Sequence, residues 1–259
     1  MDRQSKTDEA GMVSKGARAG QEIKYLPLGD QGITIVFGNS ISEEINRKVR
    51  GAMHALKTNP LQGVIELVPA YSSLTVYYDP LVVDYAFLCR GLQEKVENMD
   101  LAGLPQPKVF EIPTVYGGIF GPDLEFVAEH NKLSPEEVVN IHSSRDYLVY
   151  MLGFAPGFPY LGGLSEKIQA PRLAEPRQLV KAGSVGIAGN QTGIYSVDSP
   201  GGWRIIGGTP VKLYDPEQEQ PVPLQAGDYL RFVPVSEDEF REIEEGMKPK
   251  LPGMGGRVC

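Results

Sequence analysis

The second half of this chain sets the tightest limit on its fold. Past His142 come six short β-type runs in quick succession, "YLVYMLGF", "SVGIAG", "TGIYSV", "WRIIGG", "PVKLYD" and "DYLRFVPV", separated by Gly, Pro, Asn or Asp. Runs of this kind at close spacing predict a closed barrel or a sandwich. One further run, "VFEIPTVYGG", opens the region. Two short helices follow it: "PDLEFVAEHN", with Pro122 at a first-turn position, and "SPEEVVNIHS", where Ser134 and Glu137 form a capping box around Pro135. A mainly-β barrel domain is therefore drawn over 107–236.

The first half has a different texture. "IKYLPLG" and "GITIVFG" read as a hairpin around "GDQG". "SISEEINRKVRGAMHAL" then sets Ile41, Ile45, Val49, Ala52, Met53 and Leu56 on one helical stripe, with Ser40 and Glu43 at capping-box spacing. Two more β-type runs, "GVIELVPAY" and "SLTVYYDP", lead to a second helix that Asp84 can cap and that carries Phe87, Leu88, Leu92 and Val96. The order ββαββα predicts a small α+β domain over 23–99, joined by a Pro-rich linker at 100–106. Residues 1–22 hold almost no large apolar side chain and read as a disordered tail; 237–259 reads as a C-terminal tail.

Charge and composition narrow the partners. A net charge of −8 without a concentrated Lys/Arg run speaks against nucleic acid or an anionic membrane surface. No apolar stretch approaches the roughly 20 residues of a membrane span, and the N-terminus lacks the apolar core of a signal peptide. A cytoplasmic location is the expectation. Cys89, inside a helical segment, and Cys259, the last residue, suit a reducing compartment without a disulfide framework.

Self-contained catalytic machinery is hard to find. The histidines His54, His130 and His142 are far apart and there is no CxxC or HExxH, so no metal site is expected. No GxxxxGK[ST] loop or GxSxG elbow occurs, and Ser184 lies out of elbow register. "GSVGIAGNQTG" is glycine-rich but reads as tight turns between barrel strands, because no GxGxxG turn and long helix accompany it. His142 is either a general base or a core hydrogen-bonding residue. Asp123 and Glu125 suit the first turn of a helix. Arg172 and Arg177 could receive an anion through their planar forks, or be solvated loop charges. Trp203, the single tryptophan, is a binding-face aromatic or a barrel plug. In "MLGFAPGFPYLGG" the strand runs to Leu152, and the Gly/Pro-stiffened remainder holds Phe154, Phe158 and Tyr160 at a rim.

Several blocks resemble one known family. "IPTVYGGIFGPDLEFVAE", "LSPEEVVNIHSS", "YLVYMLGFAPGFPYLGGL", "KAGSVGIAGNQTGIYSVDSPGGWRIIGGTPVKLYDP" and "LQAGDYLRFVPVS" are similar to signature blocks of the family variously called the 5-oxoprolinase B subunit, KipI or allophanate hydrolase subunit 1. The resemblance spans about 23–235 and includes "LGDQGITIVFG" and "PAYSSLTVYYDP". It implies a cyclophilin-like β-barrel after the α+β domain. It also implies a non-autonomous hydrolase subunit that acts with subunits A and C in the ATP-dependent opening of 5-oxoproline to glutamate; the chain itself carries no ATP motif. The KipI branch implies an alternative role, inhibition of a sporulation sensor histidine kinase. Val115 and Phe120 stand where urea-carboxylase relatives often have histidines, which argues against urea chemistry. Lys181 replaces a common proline, and Gln31 and Gly32 replace a small apolar pair. The expected binding pocket is Phe154, Pro156, Phe158, Tyr160, Arg177, Gln191, Thr192, Tyr195 and Trp203, with His142 as the one candidate catalytic group.

Overall fold

A computed structural model of the chain describes residues 22–246. The stretches 1–21 and 247–259, which fall in the two expected tails, lie outside the described residues. Strands β1 (Lys24–Leu28) and β2 (Gly32–Val36) form the hairpin, paired from Lys24↔Val36 to Leu28↔Gly32. Helix α1 (Glu43–Thr58) follows. Its cap is Ser42, whose hydroxyl accepts from the Ile45 backbone N–H, rather than Ser40, and Ile41 stays exposed ahead of the first turn. Strands β3 (Val64–Pro69) and β4 (Ser73–Tyr78) complete an antiparallel sheet of order β1-β2-β4-β3. Helix α2 (Tyr85–Glu97) is capped by Asp84, as its sequence predicts.

Period-2 alternation decides which sheet face the helices cover. Ile33, Ile35, Leu74, Val76 and Tyr78 point one way, and Val49, Ala52, Leu56, Leu88, Leu92 and Val96 meet them in a single core. Phe87, expected on that stripe, turns to solvent instead, where the Arg90 guanidinium sits over its ring.

The second unit is a closed barrel of seven strands. They are β5 (Val109–Tyr116), β6 (Asp146–Leu152), β7 (Pro159–Gly162), β9 (Ser184–Ala188), β10 (Gln191–Ile194), β12 (Arg204–Gly208) and β13 (Tyr229–Pro234). The order around the barrel is β10-β7-β6-β13-β5-β12-β9. Beside it, β8 (Arg177–Val180) and β11 (Ser199–Gly201) form a separate two-stranded ribbon. Three expectations change. "PVKLYD" forms no strand, the supposed loop residues Pro159–Gly162 supply β7, and β8 falls in "RQLV", where no strand was expected. The glycine-rich "GSVGIAGNQTG" is the β9–β10 hairpin, turning at Gly189 with φ +58°.

Helices α3 (Leu124–Asn131) and α4 (Pro135–Ser143) add Leu124, Val127, Ala128 and Val138 to the barrel core of Ile112, Tyr147, Val149, Leu161, Ile187, Leu230 and Phe232. The capping box of Ser134 and Glu137 forms with Pro135 in the first turn. Past β13, where a tail was expected, lies helix α5 (Glu237–Glu244). Ser236 and Glu239 build a second capping box there, and Phe240 is buried with its ring 4.7 Å from that of Phe120. The Ser-x-x-Glu spacing was the signal that this segment is ordered.

Phe240→Ala therefore removes a packed side chain and is expected to cost about 3 kcal/mol in chemical denaturation. An unchanged midpoint would mean that α5 contributes nothing to the fold.

Candidate functional site

His142 was the one side chain with catalytic promise, and the structure places it in the core. It is fully buried at the end of α4. Its Nδ1 lies 2.8 Å from the Tyr116 hydroxyl on β5, and its Nε2 lies 2.9 Å from Thr192 Oγ1 on β10. Thr192 donates its own proton to the Gly186 carbonyl at 3.0 Å. That fixes the tautomer: Nε2–H donates to Thr192, and Nδ1 accepts from Tyr116. The Tyr147 hydroxyl in turn donates to the His142 carbonyl at 2.7 Å. Both ring nitrogens are thus satisfied by a neutral imidazole, and burial pushes the pKa from 6.5 to about 3. A general base needs access and an unengaged lone pair, and His142 has neither. Thr192 is spent on the same network and leaves the expected pocket.

The expected aromatic pocket is mostly filled. Phe158, Tyr195 and Trp203 are buried with Val180, Ala188 and Ile205 in a second cluster on the outer face of the barrel, against β8. Glycine makes the fit possible: a Cβ on Gly193 would lie 3.0 Å from the Trp203 ring and 3.2 Å from the Phe158 ring. Phe158 is the hub, with ring centroids of Phe154, Tyr160, Tyr195 and Trp203 at 5.1–5.5 Å. Trp203 is therefore neither plug nor binding face.

What remains exposed is the rim. The loop from Gly153 to Phe158 closes on itself through Gly153 N–H to Phe158 O and Phe158 N–H to Ala155 O, each 3.1 Å. At its tip Phe154 holds φ +65°, a left-handed conformation that is costly for an aromatic residue, and is 67% exposed. Pro156 is exposed next to it. The apolar ring is thus displayed at the cost of backbone strain and braced edge-on by the buried Phe158. Tyr160 continues the rim to Tyr71 of the β3–β4 turn, at 5.9 Å between ring centroids. Gln191 donates to the Tyr71 hydroxyl, and Tyr71 also packs on Tyr150 at 5.4 Å. Tyr71 and Tyr150 were missed by sequence reasoning; nothing local to "PAYSS" signals a partner about eighty residues away in the chain.

Arg177 is not open to an anion. Its Nη2 donates to both Asp123 oxygens at 2.9 Å and its Nη1 to the Trp203 carbonyl at 3.2 Å. Asp123 also accepts from the Ile205 backbone N–H at 2.7 Å. It is buried at the start of α3 but makes no side-chain capping bond. Its hydrogen bonds pin the start of α3 to β12 and the ribbon. Arg172 is exposed, and Lys181 ties its loop down through Asp198 at 2.7 Å. Among the described residues no group of three or more His, Cys, Asp or Glu could hold a metal ion, and no helix is long and apolar enough to cross a membrane.

The model of a family described as "carboxyltransferase domain, subdomain C and D" matches residues 23–224. A Bacillus subtilis (strain 168) protein, named as the B subunit of 5-oxoprolinase, is 47% identical over 229 residues, 84% of this chain and 95% of that protein. The chain belongs to the 5-oxoprolinase B-subunit family. Among solved structures, TTHA0988 is 40% identical with TM-score 0.70, covering 80% of this chain; the present chain spans only 40% of TTHA0988. The Kluyveromyces lactis urea amidolyase, 20% identical, aligns over 90% of this chain and 16% of its own length with TM-score 0.73, which shows a shared fold. In this family member the expected pocket reduces to an exposed aromatic rim, and the barrel interior is closed by a neutral histidine network.

The network makes stability pH-dependent with a definite sign. The folded pKa of His142, about 3, lies below the ordinary 6.5, so the unfolded chain takes up the proton first as pH falls. The contribution is complete above the ordinary value and erodes by about 1.4 kcal/mol per pH unit as pH falls toward the folded value. His142→Gln is expected to lower the urea midpoint near neutrality and to flatten the loss of stability between about pH 6 and pH 4 relative to wild type. Parallel pH profiles for the two proteins would refute the buried-neutral assignment.

Proposed function

We propose that this chain is the B component of an ATP-dependent enzyme that opens 5-oxoproline to glutamate and that it acts with companion subunits A and C. The observation that carries this reading is the 47% identity to a protein of that name over 95% of the latter's length. The state of the chain's own polar groups supports a subunit that works by contact. His142 is sealed in the core, and the Arg177 fork is closed on Asp123. A five-membered lactam is a poor electrophile until its oxygen is phosphorylated. ATP transfers its terminal phosphoryl group to that oxygen and leaves as ADP; one water adds at the carbon and the ring C–N bond breaks, which frees the amine and leaves an acyl phosphate, and a second water then releases phosphate and the carboxylate of glutamate. In the proposed assembly the nucleotide is held outside this chain. The chain's contribution is to present the Phe154 rim to a companion subunit. A second reading, docking on a sensor histidine kinase, is favoured only by that same exposed ring.

Omitting this chain from a mixture of subunits A and C is expected to abolish ATP-dependent glutamate formation from 5-oxoproline, and a strain lacking it should not grow on 5-oxoproline as nitrogen source. Unaffected growth would sink the reading, and loss of kinase autophosphorylation on adding the purified chain would favour the second one. Phe154→Ala is the informative variant, because Phe158→Ala would disrupt the second cluster. Its stability should stay within about 0.5 kcal/mol of wild type, while companion-subunit affinity falls about tenfold or more. Unchanged affinity would return the loop to packing.

A further inference from the structure

A cleft of about 290 Å³ separates α1 from the linker and from the turn that enters β13. Arg50, His54 and Lys57 of α1 line one side, and Lys108, Gln225 and Asp228 line the other. Three of the four formal charges on these walls are positive, in a chain whose net charge is −8. The one carboxylate is already occupied: Asp228 accepts the backbone N–H of Lys108 at 3.1 Å and that of Gln225 at 2.9 Å.

Arg50 is what makes the cleft more than a basic surface. Its guanidinium lies against Gly227, which holds φ +101°, and a Cβ there would overlap Nη1 and Cζ. The close approach is possible only at glycine. The half-buried side chain makes no ion pair among the described residues, and its Nε is buried with no hydrogen-bond partner. Burial, and after it the neighbouring Arg47, pull its pKa below the ordinary arginine value, while Tyr229, Asp228 and Glu43 act in the opposite direction. Arginine nonetheless remains charged at any working pH. A charge taken partly out of water with no carboxylate in direct contact is only partly compensated by Asp228 and Glu43, and a planar fork of donors is the chemistry that relieves the rest with a carboxylate or phosphate.

We propose that this cleft is an oxyanion-binding site, with Arg50 as the principal ligand and Lys57 and Lys108 as supporting charges. The occupant is a small molecule or group bearing a phosphate or a carboxylate. Because the cleft joins α1, the linker and the barrel, an anion bound there ties the two halves of the chain together. The site does not rest on the reaction proposed above.

Calorimetric titration of the full chain at low salt, with inorganic phosphate in one arm and glutarate in the other, tests it. Saturable binding of phosphate alone assigns a phosphoryl group; saturable binding of glutarate assigns a carboxylate. Each should raise the unfolding temperature in step with its occupancy. Arg50→Ala is expected to weaken binding by about 10- to 100-fold, the loss of one or more charge-assisted hydrogen bonds. Lys57→Ala, at an exposed position that leaves the fold untouched, should weaken it by a few-fold and keeps the test decisive if the arginine variant folds poorly. Absence of saturable binding in both arms, or binding that neither substitution alters, would overturn the site.

Discussion

A seven-strand barrel has two ways to treat its interior: fill it with apolar side chains, or bridge it with polar groups that satisfy one another. This protein does both, and the bridge is the hydrogen-bonded chain Tyr116–His142–Thr192–Gly186. Strands β5 and β10 lie three places apart around the ring in one direction and four in the other, close to diametrically opposed. A helix-borne imidazole that bonds both spans the barrel and fixes how far α4 enters it. Tyr147 and Phe232 pack on the same ring, with centroids at 5.3 and 4.5 Å. The Tyr116 hydroxyl keeps its acceptor only while Nδ1 of His142 is unprotonated, so the arrangement is specific in position and in protonation state.

The outer face of the barrel follows from the inner one. With Ile187 and Ile194 turned inward, alternation forces Gly186, Gly193 and Tyr195 outward. Two glycines side by side leave bare backbone, and Trp203 and Phe158 settle on it. The ribbon of β8 and β11 then covers the tryptophan, and Arg177 closes the arrangement by reaching Asp123. Only after these demands are met does the chain expose Phe154. The rim stands on the packed cluster of Phe158, Tyr195 and Trp203.

Much of this was legible in the sequence. Helices declared themselves through Asp84, Ser134 and Pro135, whose capping acts within four residues. The barrel declared itself through the density of short strands closed by turn residues. Misreadings cluster where the deciding partner is distant. Glycine and proline in "GFAPGFPYLGG" suggested a loop throughout, yet pairing with β6 makes Pro159–Gly162 a strand. Arg177 looked available because Asp123 lies 54 positions away, and Trp203 looked like a ligand because its glycine platform sits on a different hairpin. Site residues chosen by family motif and chemical type were largely those the fold had already used.

Between the two halves of the chain the contacts combine single hydrogen bonds with the packing of Tyr71 on Tyr150 and Tyr160, in contrast to the continuous apolar cores on either side. Asn46 of α1 donates to the Tyr150 carbonyl at 3.0 Å, and its Oδ1 is buried without a partner. Gln191 reaches Tyr71, and on the linker the Arg47 guanidinium holds the Leu101 carbonyl at 3.0 Å. Single hydrogen bonds of this kind contribute about 1 kcal/mol each, much less than the apolar burial inside either half. Tyr71 and Tyr160 meet along this junction, and Arg50 lies in the cleft between α1, the linker and the barrel. A companion that grips the Phe154 rim next to Tyr160 presses on the same seam that an anion at Arg50 would tighten.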